Sequence, residues 1–178
     1  MSHRYLQSML TMLLVGFLPI TAFAVEETKP AETFQSICLK SWMERANEAE
    51  DKVDFQNFGE KYCDCAATQQ PLTTNEDVAK AAKVCMSRIL LQDSMDNLTD
   101  ELELSDVTEA DVNEYCLDRW KLIYPSMDDK IKKTSEDYCS CAKPKLLELI
   151  KKMDSKTDKQ FAAEINEVAA NCSGQVGK

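Results

Sequence analysis

The stretch YCDCA at residues 62–66 recurs with one change as YCSCA at residues 138–142, an offset of 76. A second match precedes each copy, because CLKSW at residues 38–42 recurs as CLDRW at residues 116–120, an offset of 78. One more cysteine follows each copy, so both tryptophans and all eight cysteines of the chain take part in the pattern. Internal similarity on this scale is the sequence signature of a repeated structural unit.

The repeat predicts an all-α fold, built as a tandem duplication of a disulfide-stapled three-helix unit, with units at residues 34–92 and 108–174. Apolar residues recur at intervals of three and four in both units, which is typical of amphipathic helices. The predicted helices cover residues 34–46, 55–69, a segment capped by Thr74, 109–123, 128–152 and 158–172. Pro144 is expected to kink the fifth helix or to open a short extra one.

The spacing of the paired cysteines follows from helix geometry. Residues two positions apart on a helix point about 200° apart, so Cys63 and Cys65 must reach different neighbouring helices. An even number of cysteines in an exported chain indicates a disulfide framework. Each unit allows three pairings, and antiparallel hairpins with turn centres near residues 72, 129 and 155–156 favour one of them. The predicted bridges are Cys38–Cys65, Cys63–Cys85, Cys116–Cys141 and Cys139–Cys172.

A C-x-C pair could instead exchange thiols or bind Cu(I), which makes a thiol-active protein a remote alternative. Such chemistry needs an electropositive setting that lowers the thiol pKa. Acidic and basic residues are mixed around the first pair, where Glu60, Lys61 and Asp64 are the neighbours. The structural interpretation is therefore preferred, and no cofactor or metal is predicted.

Residues 1–24 have the pattern of a secretory signal peptide. Arg4 precedes an apolar run of 12 residues from Met9 to Ile20, and the cleavage pattern Ala-Phe-Ala ends at Ala24. A membrane-spanning helix would need about 20 apolar residues. We therefore expect a periplasmic or secreted protein without stable membrane insertion, with a flexible N-terminus at residues 25–33 and a tail at residues 175–178.

Removal of residues 1–24 also changes the chemistry that the chain can perform. The single histidine, His3, lies in this segment, so Ser-His-Asp or Cys-His catalysis and His-ligated metals are excluded from the predicted mature chain. That chain keeps 31 acidic residues against 20 lysines and arginines, a net charge of −11. This charge argues against nucleic acid as a partner. No catalytic motif is recognisable, and we expect no enzyme.

Residues 93–107 are predicted to form an acidic linker between the units. No lysine or arginine occurs between Ile89 and Asp118, while residues 93–114 contain nine acids. Such a run is commonly a solvated linker, but it could also be a docking surface for a basic protein. The candidate partner-binding residues are Asp93, Asp96, Asp100, Glu101 and Glu103.

Three hypotheses on function follow from these patterns. The first is a non-catalytic binding protein of the bacterial cell envelope, whose partner is another envelope or secreted protein. An immunity-type inhibitor of a secreted toxin would be one such protein, because an acidic surface suits a basic target. The second is a carrier of a small apolar ligand in a helical cavity, and the third is the thiol-active protein.

Overall fold

The structure is a computed structural model, and it describes residues 33–175 as helices joined by short loops. The helices are α1 (Phe34–Met43), α2 (Lys52–Thr68), α3 (Asn75–Glu101), α4 (Glu109–Ile123), α5 (Asp129–Ile150) and α6 (Asp158–Cys172). Short 3-10 turns follow α5 and α6, and no strand occurs within residues 33–175. The all-α prediction is confirmed. The predicted signal peptide, the N-terminal segment up to residue 32 and the tail from residue 176 lie outside the described residues.

Each α-helix begins at a threonine or aspartate whose side chain accepts a backbone N–H of the first turn, which supplies a partner that the helix cannot provide. The N-cap residues are Thr33, Asp51, Thr74, Thr108, Asp128 and Thr157. At three of them the residue three positions on returns a bond to the cap, which completes a capping box. The observed bounds of α4 and α6 coincide with the predicted ones.

Helix α5 runs without interruption through Pro144, so the prediction of a short extra helix there is wrong. Proline lacks a backbone N–H and removes one hydrogen bond from the helix interior. The residues flanking Pro144 compensate, because Ala142 and Leu146 are fully buried and Leu149 is nearly so. Packing of this face against the core therefore maintains the helix on both sides of the proline.

Helix α3 is the central element and packs against α2, α4 and α6. Seven of the nine residues from Ser87 to Met95 are buried, and successive positions point in different directions, so this part of the helix is covered on nearly all sides. Because α3 extends to Glu101, the predicted acidic linker is wrong over residues 93–101. The described residues belong to one compact unit with no boundary at residue 92.

All eight cysteines form disulfides, as predicted, and none in the described chain is free. The two cysteines of each C-x-C pair reach different neighbouring helices, also as predicted. The partners, however, differ from the predicted ones in both repeats. The observed bridges are Cys38–Cys63, Cys65–Cys85, Cys116–Cys139 and Cys141–Cys172.

The pairing prediction is wrong because it required each turn centre to be known within one residue. The turn centre of a hairpin is the midpoint between two bridged cysteines. For a given partner, the two cysteines of a C-x-C pair therefore imply turn centres only one residue apart. The midpoint of Cys65 and Cys85 is residue 75 rather than 72, and that of Cys116 and Cys139 lies between residues 127 and 128 rather than at 129. Neighbouring helices are staggered, so a loop midpoint does not give their register.

A buried group of hydrogen bonds joins α3, α5 and α6. The Tyr138 hydroxyl donates to the Ser87 carbonyl oxygen at 2.5 Å and lies 2.9 Å from Ser87 Oγ. The Ser87 hydroxyl in turn donates to the Ala169 carbonyl oxygen at 2.7 Å. Two hydroxyl protons serve these three contacts, so one of the two protons is shared between two acceptors. Burial raises the pKa of Tyr138, which the hydrogen bond to Ser87 only partly offsets.

We expect Tyr138→Phe to lower the free energy of unfolding by about 1–2 kcal/mol, since it removes the buried hydrogen bond that the Tyr138 hydroxyl adds to the helical bond of the Ser87 carbonyl. Tyr62→Phe is the matched control from the first repeat, because Tyr62 is only half-buried and no bond to its hydroxyl occurs within the described residues. Urea unfolding of both variants makes the comparison. Equal losses would contradict a special role for the Tyr138 hydroxyl.

Candidate binding cleft

A polar concavity lies where α2, the C-terminal half of α3 and α4 meet, and we call it the acidic cleft. Its volume is about 580 Å³. The lining residues are Asp54, Asn57, Glu60, Lys61, Asp64, Asp93, Asp96, Asn97, Thr99, Asp100 and Arg119. The cleft thus draws on three helices, α2, α3 and α4.

Helix α2 supplies one wall through a polar stripe opposite its buried face. Asp54, Asn57, Lys61 and Asp64 recur at intervals of three and four, so they share one side of the helix. Phe55 and Cys63 are buried on the other side. The amphipathic pattern that fixes the helix in the core therefore also aligns these polar groups along the cleft.

Two cations at the base of the cleft are held by ion pairs to Asp93, whose side chain is 11% exposed. The Lys61 Nζ atom lies 2.7 Å from Asp93 Oδ1 and 3.4 Å from Asp96 Oδ2. The Arg119 Nη1 atom lies 3.3 Å from Asp54 Oδ2 and 3.4 Å from Asp93 Oδ2. Burial lowers the pKa of Lys61, but the bond to Asp93 and the charges of Asp93 and Asp96 outweigh it, so the pKa is raised.

The cleft keeps a surplus of negative charge after these pairs are formed. Six carboxylates and two cationic side chains line it, which leaves four negative charges in excess. Four of the carboxylates are exposed, namely Glu60, Asp64, Asp96 and Asp100. Among the described residues, Glu60 and Asp64 accept hydrogen bonds only from neutral amides, those of Gln56 and Gln35. The exposed rim is therefore able to accept cationic groups from outside.

The structure brings three of the five predicted partner-binding residues together. Asp96 and Asp100 are exposed in the cleft, whereas Asp93 is buried at its base. Glu101 and Glu103 do not line it. Instead Glu101 accepts a 2.7 Å bond from the Tyr115 hydroxyl, and this bond raises the pKa of Tyr115 to about 12.

The sequence analysis missed the α2 wall and the contribution of Arg119. The stripe from Asp54 to Asp64 was a readable signal, because its polar residues follow helical spacing. Nothing in the sequence placed this stripe beside α3 or brought Arg119 to Asp93, since those contacts depend on the way the helices pack. Within residues 33–175 no cluster of three or more potential ligands suits a metal ion.

A second concavity, the α3–α6 groove, is more apolar and has a volume of about 500 Å³. Its apolar lining residues are Met95, Met153, Phe161, Ala162 and Ile165. Met95 and Ile165 are almost fully buried, whereas Met153 and Ala162 are partly exposed.

Over the described residues, the fold and the cleft define an all-α, disulfide-rich protein with an acidic concavity lined by α2, α3 and α4. No protein-family model matches the chain, and no curated protein or solved structure is significantly similar to it. The four disulfides indicate an oxidising compartment outside the cytoplasm. Among the described helices, none combines the length and apolar character required to cross a bilayer.

Proposed function

We propose that this is an exported, non-catalytic binding protein of the bacterial cell envelope whose acidic cleft receives a basic segment of another envelope or secreted protein. The observation that carries the proposal is the surplus of four negative charges in a cleft whose two cations are already paired. An immunity-type inhibitor that neutralises a basic secreted toxin is one form of such a protein.

The proposed location is the periplasm or the exterior, reached after cleavage of the signal peptide near Ala24. The disulfides support export, because such bonds persist in oxidising compartments. The charged N-terminal region, the apolar run and the Ala-Phe-Ala pattern support the cleavage.

The chemistry of the cleft favours lysine or arginine side chains on the partner. Four exposed carboxylates stand on two helices that face each other across the cleft, so a cationic side chain between them can contact both walls. Charge-assisted hydrogen bonds are about twice as strong as neutral ones. Complementary charge also speeds association, and this contribution weakens as salt screens it.

Neutralising the rim tests the proposal. We expect the variant Glu60→Gln, Asp64→Asn, Asp96→Asn and Asp100→Asn to reduce capture of basic envelope proteins at least tenfold. The reason is that all four substituted groups are exposed in the cleft and keep their shape when the charge is removed. The measurement is a pull-down from the envelope fraction with the mature protein, read by quantitative mass spectrometry at low and high salt.

The matched control removes the same number of charges elsewhere. Glu44, Glu76, Glu114 and Glu136 are exposed and lie outside the cleft. Their replacement by glutamine should leave capture within about twofold. If both variants lost capture equally, net charge would explain the effect and a cleft-specific site would be contradicted. If the rim variant retained capture, the proposal would be overturned.

The α3–α6 groove supports a second candidate, a carrier of a small apolar ligand. Its methionines and Phe161 are adaptable apolar contacts for such a ligand. Organic extraction of protein purified from its native compartment should then yield a stoichiometric ligand. The substitution Ala162→Glu, at a partly buried wall position, should abolish that co-purification without weakening capture by the acidic cleft.

A further inference from the structure

One of the four disulfides lies beside a cationic side chain. The Nζ atom of Lys145 is 3.8 Å from Cys141 Sγ and 3.8 Å from Cys172 Sγ. Lys145 follows Cys141 by one helical turn on α5, so both residues stand on the same face of that helix. Lys145 is exposed, Cys141 is partly exposed, and Cys172 is 1% exposed.

The first repeat provides an internal comparison. The corresponding bridge, Cys65–Cys85, likewise joins a partly exposed cysteine to a buried one. At the offset of 76 the position of Lys145 is occupied by Gln69, which is neutral and donates to Thr68 Oγ1 at 3.1 Å. Within the described residues no cationic side chain contacts the sulfurs of Cys65 or Cys85. The two bridges therefore match in burial and differ in local charge.

The nearby acids do not neutralise Lys145. It lines an open groove of about 380 Å³ between α5 and α6 together with Glu148, Glu164 and Glu167. Lys152 binds Glu148 at 2.6 Å and Lys156 binds Glu164 at 2.5 Å. In the described part of the chain no ion pair joins Lys145 to any acid.

We propose that Cys141–Cys172 is the thiol–disulfide exchange site of this protein, at which Lys145 stabilises the departing thiolate. An external thiolate attacks Cys141 Sγ, the more accessible sulfur. A new bond forms between the two sulfurs, the Cys141–Cys172 bond breaks, and its electron pair remains on Cys172 as a thiolate. A second external thiolate then displaces Cys141 from the mixed disulfide, which gives an external disulfide and a reduced Cys141.

The charge of Lys145 favours this direction of attack. Cys172 is the last residue of α6, where the helix dipole disfavours an anion by the equivalent of about half a charge. The full positive charge of an ammonium at 3.8 Å exceeds that effect. A leaving thiol is displaced faster when its thiolate is stabilised, so the ammonium speeds the exchange.

The test follows the opening of all four bridges in one molecule. The folded mature protein is treated with dithiothreitol for graded times, alkylated, and mapped by mass spectrometry. We expect Cys141 and Cys172 to be labelled first, at least threefold faster than Cys65 and Cys85. Opening of Cys65–Cys85 at an equal or greater rate would overturn the proposal.

Substitutions separate the charge from other causes. We expect Lys145→Met to abolish the advantage over Cys65–Cys85 and Lys145→Arg to preserve it. Lys143→Met is the matched control, because it removes the same charge two residues away and should retain the advantage. A change in overall stability affects both bridges of one molecule, so it cancels in the ratio of their opening rates. An unchanged ratio in Lys145→Met would contradict the role of the ammonium.

Discussion

Gly59→Ala is expected to lower the free energy of unfolding by about 2–3 kcal/mol, although alanine favours a helix over glycine. A Cβ atom at residue 59 would clash with Trp42 Cδ1 and would lie 2.5 Å from Trp42 Nε1. Overpacking of this kind costs about 1–3 kcal/mol. The loss of a buried hydrogen bond costs a further ~1–3 kcal/mol, whereas the gain in helix propensity is only about 1 kcal/mol.

The effect is large because Trp42 is the buried anchor of α1. It is the one buried residue of that helix, its Nε1 donates to the Phe55 carbonyl oxygen at 2.8 Å, and its ring stacks on those of Phe55 and Phe58. When the indole is displaced, α1 keeps the Cys38–Cys63 bridge but loses its attachment to the core. The helix should then separate locally from α2 while the rest of the fold remains.

Two measurements check this expectation. Urea unfolding gives the stability loss, and Trp42 fluorescence in a Trp120→Phe background reports whether the indole becomes exposed. Gly174→Ala is the matched control, because a Cβ there meets nothing within 4 Å and the change should stay within about 0.5 kcal/mol. If Gly59→Ala were neutral and Trp42 remained buried, the close packing of α1 on α2 would be contradicted.

Local sequence signals predicted the starts of most helices, because the caps act within one turn. Thr108 and Thr157 each form a capping box, and the helices that follow them begin where the sequence indicates. The start of α2 was harder, since Asp51 caps the helix and its first residue, Lys52, lies three residues before the predicted start at Phe55. Such signals are short-range and carry no information on neighbouring helices.

The course of α3 could not be predicted in the same way. A helix that is half-buried shows an apolar stripe, but the middle of α3 is covered on nearly all sides and its buried positions include Ser87, Asp93 and Ser94. Its last two turns carry acids that resemble a solvated linker. The missing information is tertiary, because Asp93 is buried only where Lys61 and Arg119 approach it from two other helices.

The cleft therefore depends on contacts between helices that are distant in the sequence. Arg45, from the loop after α1, donates to the Ile123 carbonyl oxygen at 2.6 Å at the end of α4 and lies over the ring of Tyr124. Arg119, on α4, pairs with Asp54 on α2. These contacts connect α4 to the first two helices beside the cleft that we propose as the binding site.

Asp93→Asn is expected to lower the free energy of unfolding by about 2–3 kcal/mol. Loss of one partner from a buried ion pair costs about 3–5 kcal/mol, because the other charge is left without compensation. The cost here is smaller since Lys61 is 44% exposed and Arg119 retains Asp54.

The charges of Asp93 and Asp96 raise the pKa of Lys61, so the stability that Lys61 contributes is present below the pKa of the unfolded lysine. That stability is lost as the pH rises through the higher folded value.

The same substitution should weaken the proposed binding, which separates the role of Asp93 from that of an ordinary core residue. Without Asp93 two cations face the cleft with fewer carboxylates to hold them, and a basic partner then meets repulsion at the base.

Asp96→Asn is the matched control for stability, because its side chain is 65% exposed and its pair with Lys61 should contribute less than about 1 kcal/mol. Urea unfolding at neutral and alkaline pH compares the two variants. Equal stability of Asp93→Asn and Asp96→Asn would contradict the network, since burial and the second cation, Arg119, distinguish Asp93 from Asp96.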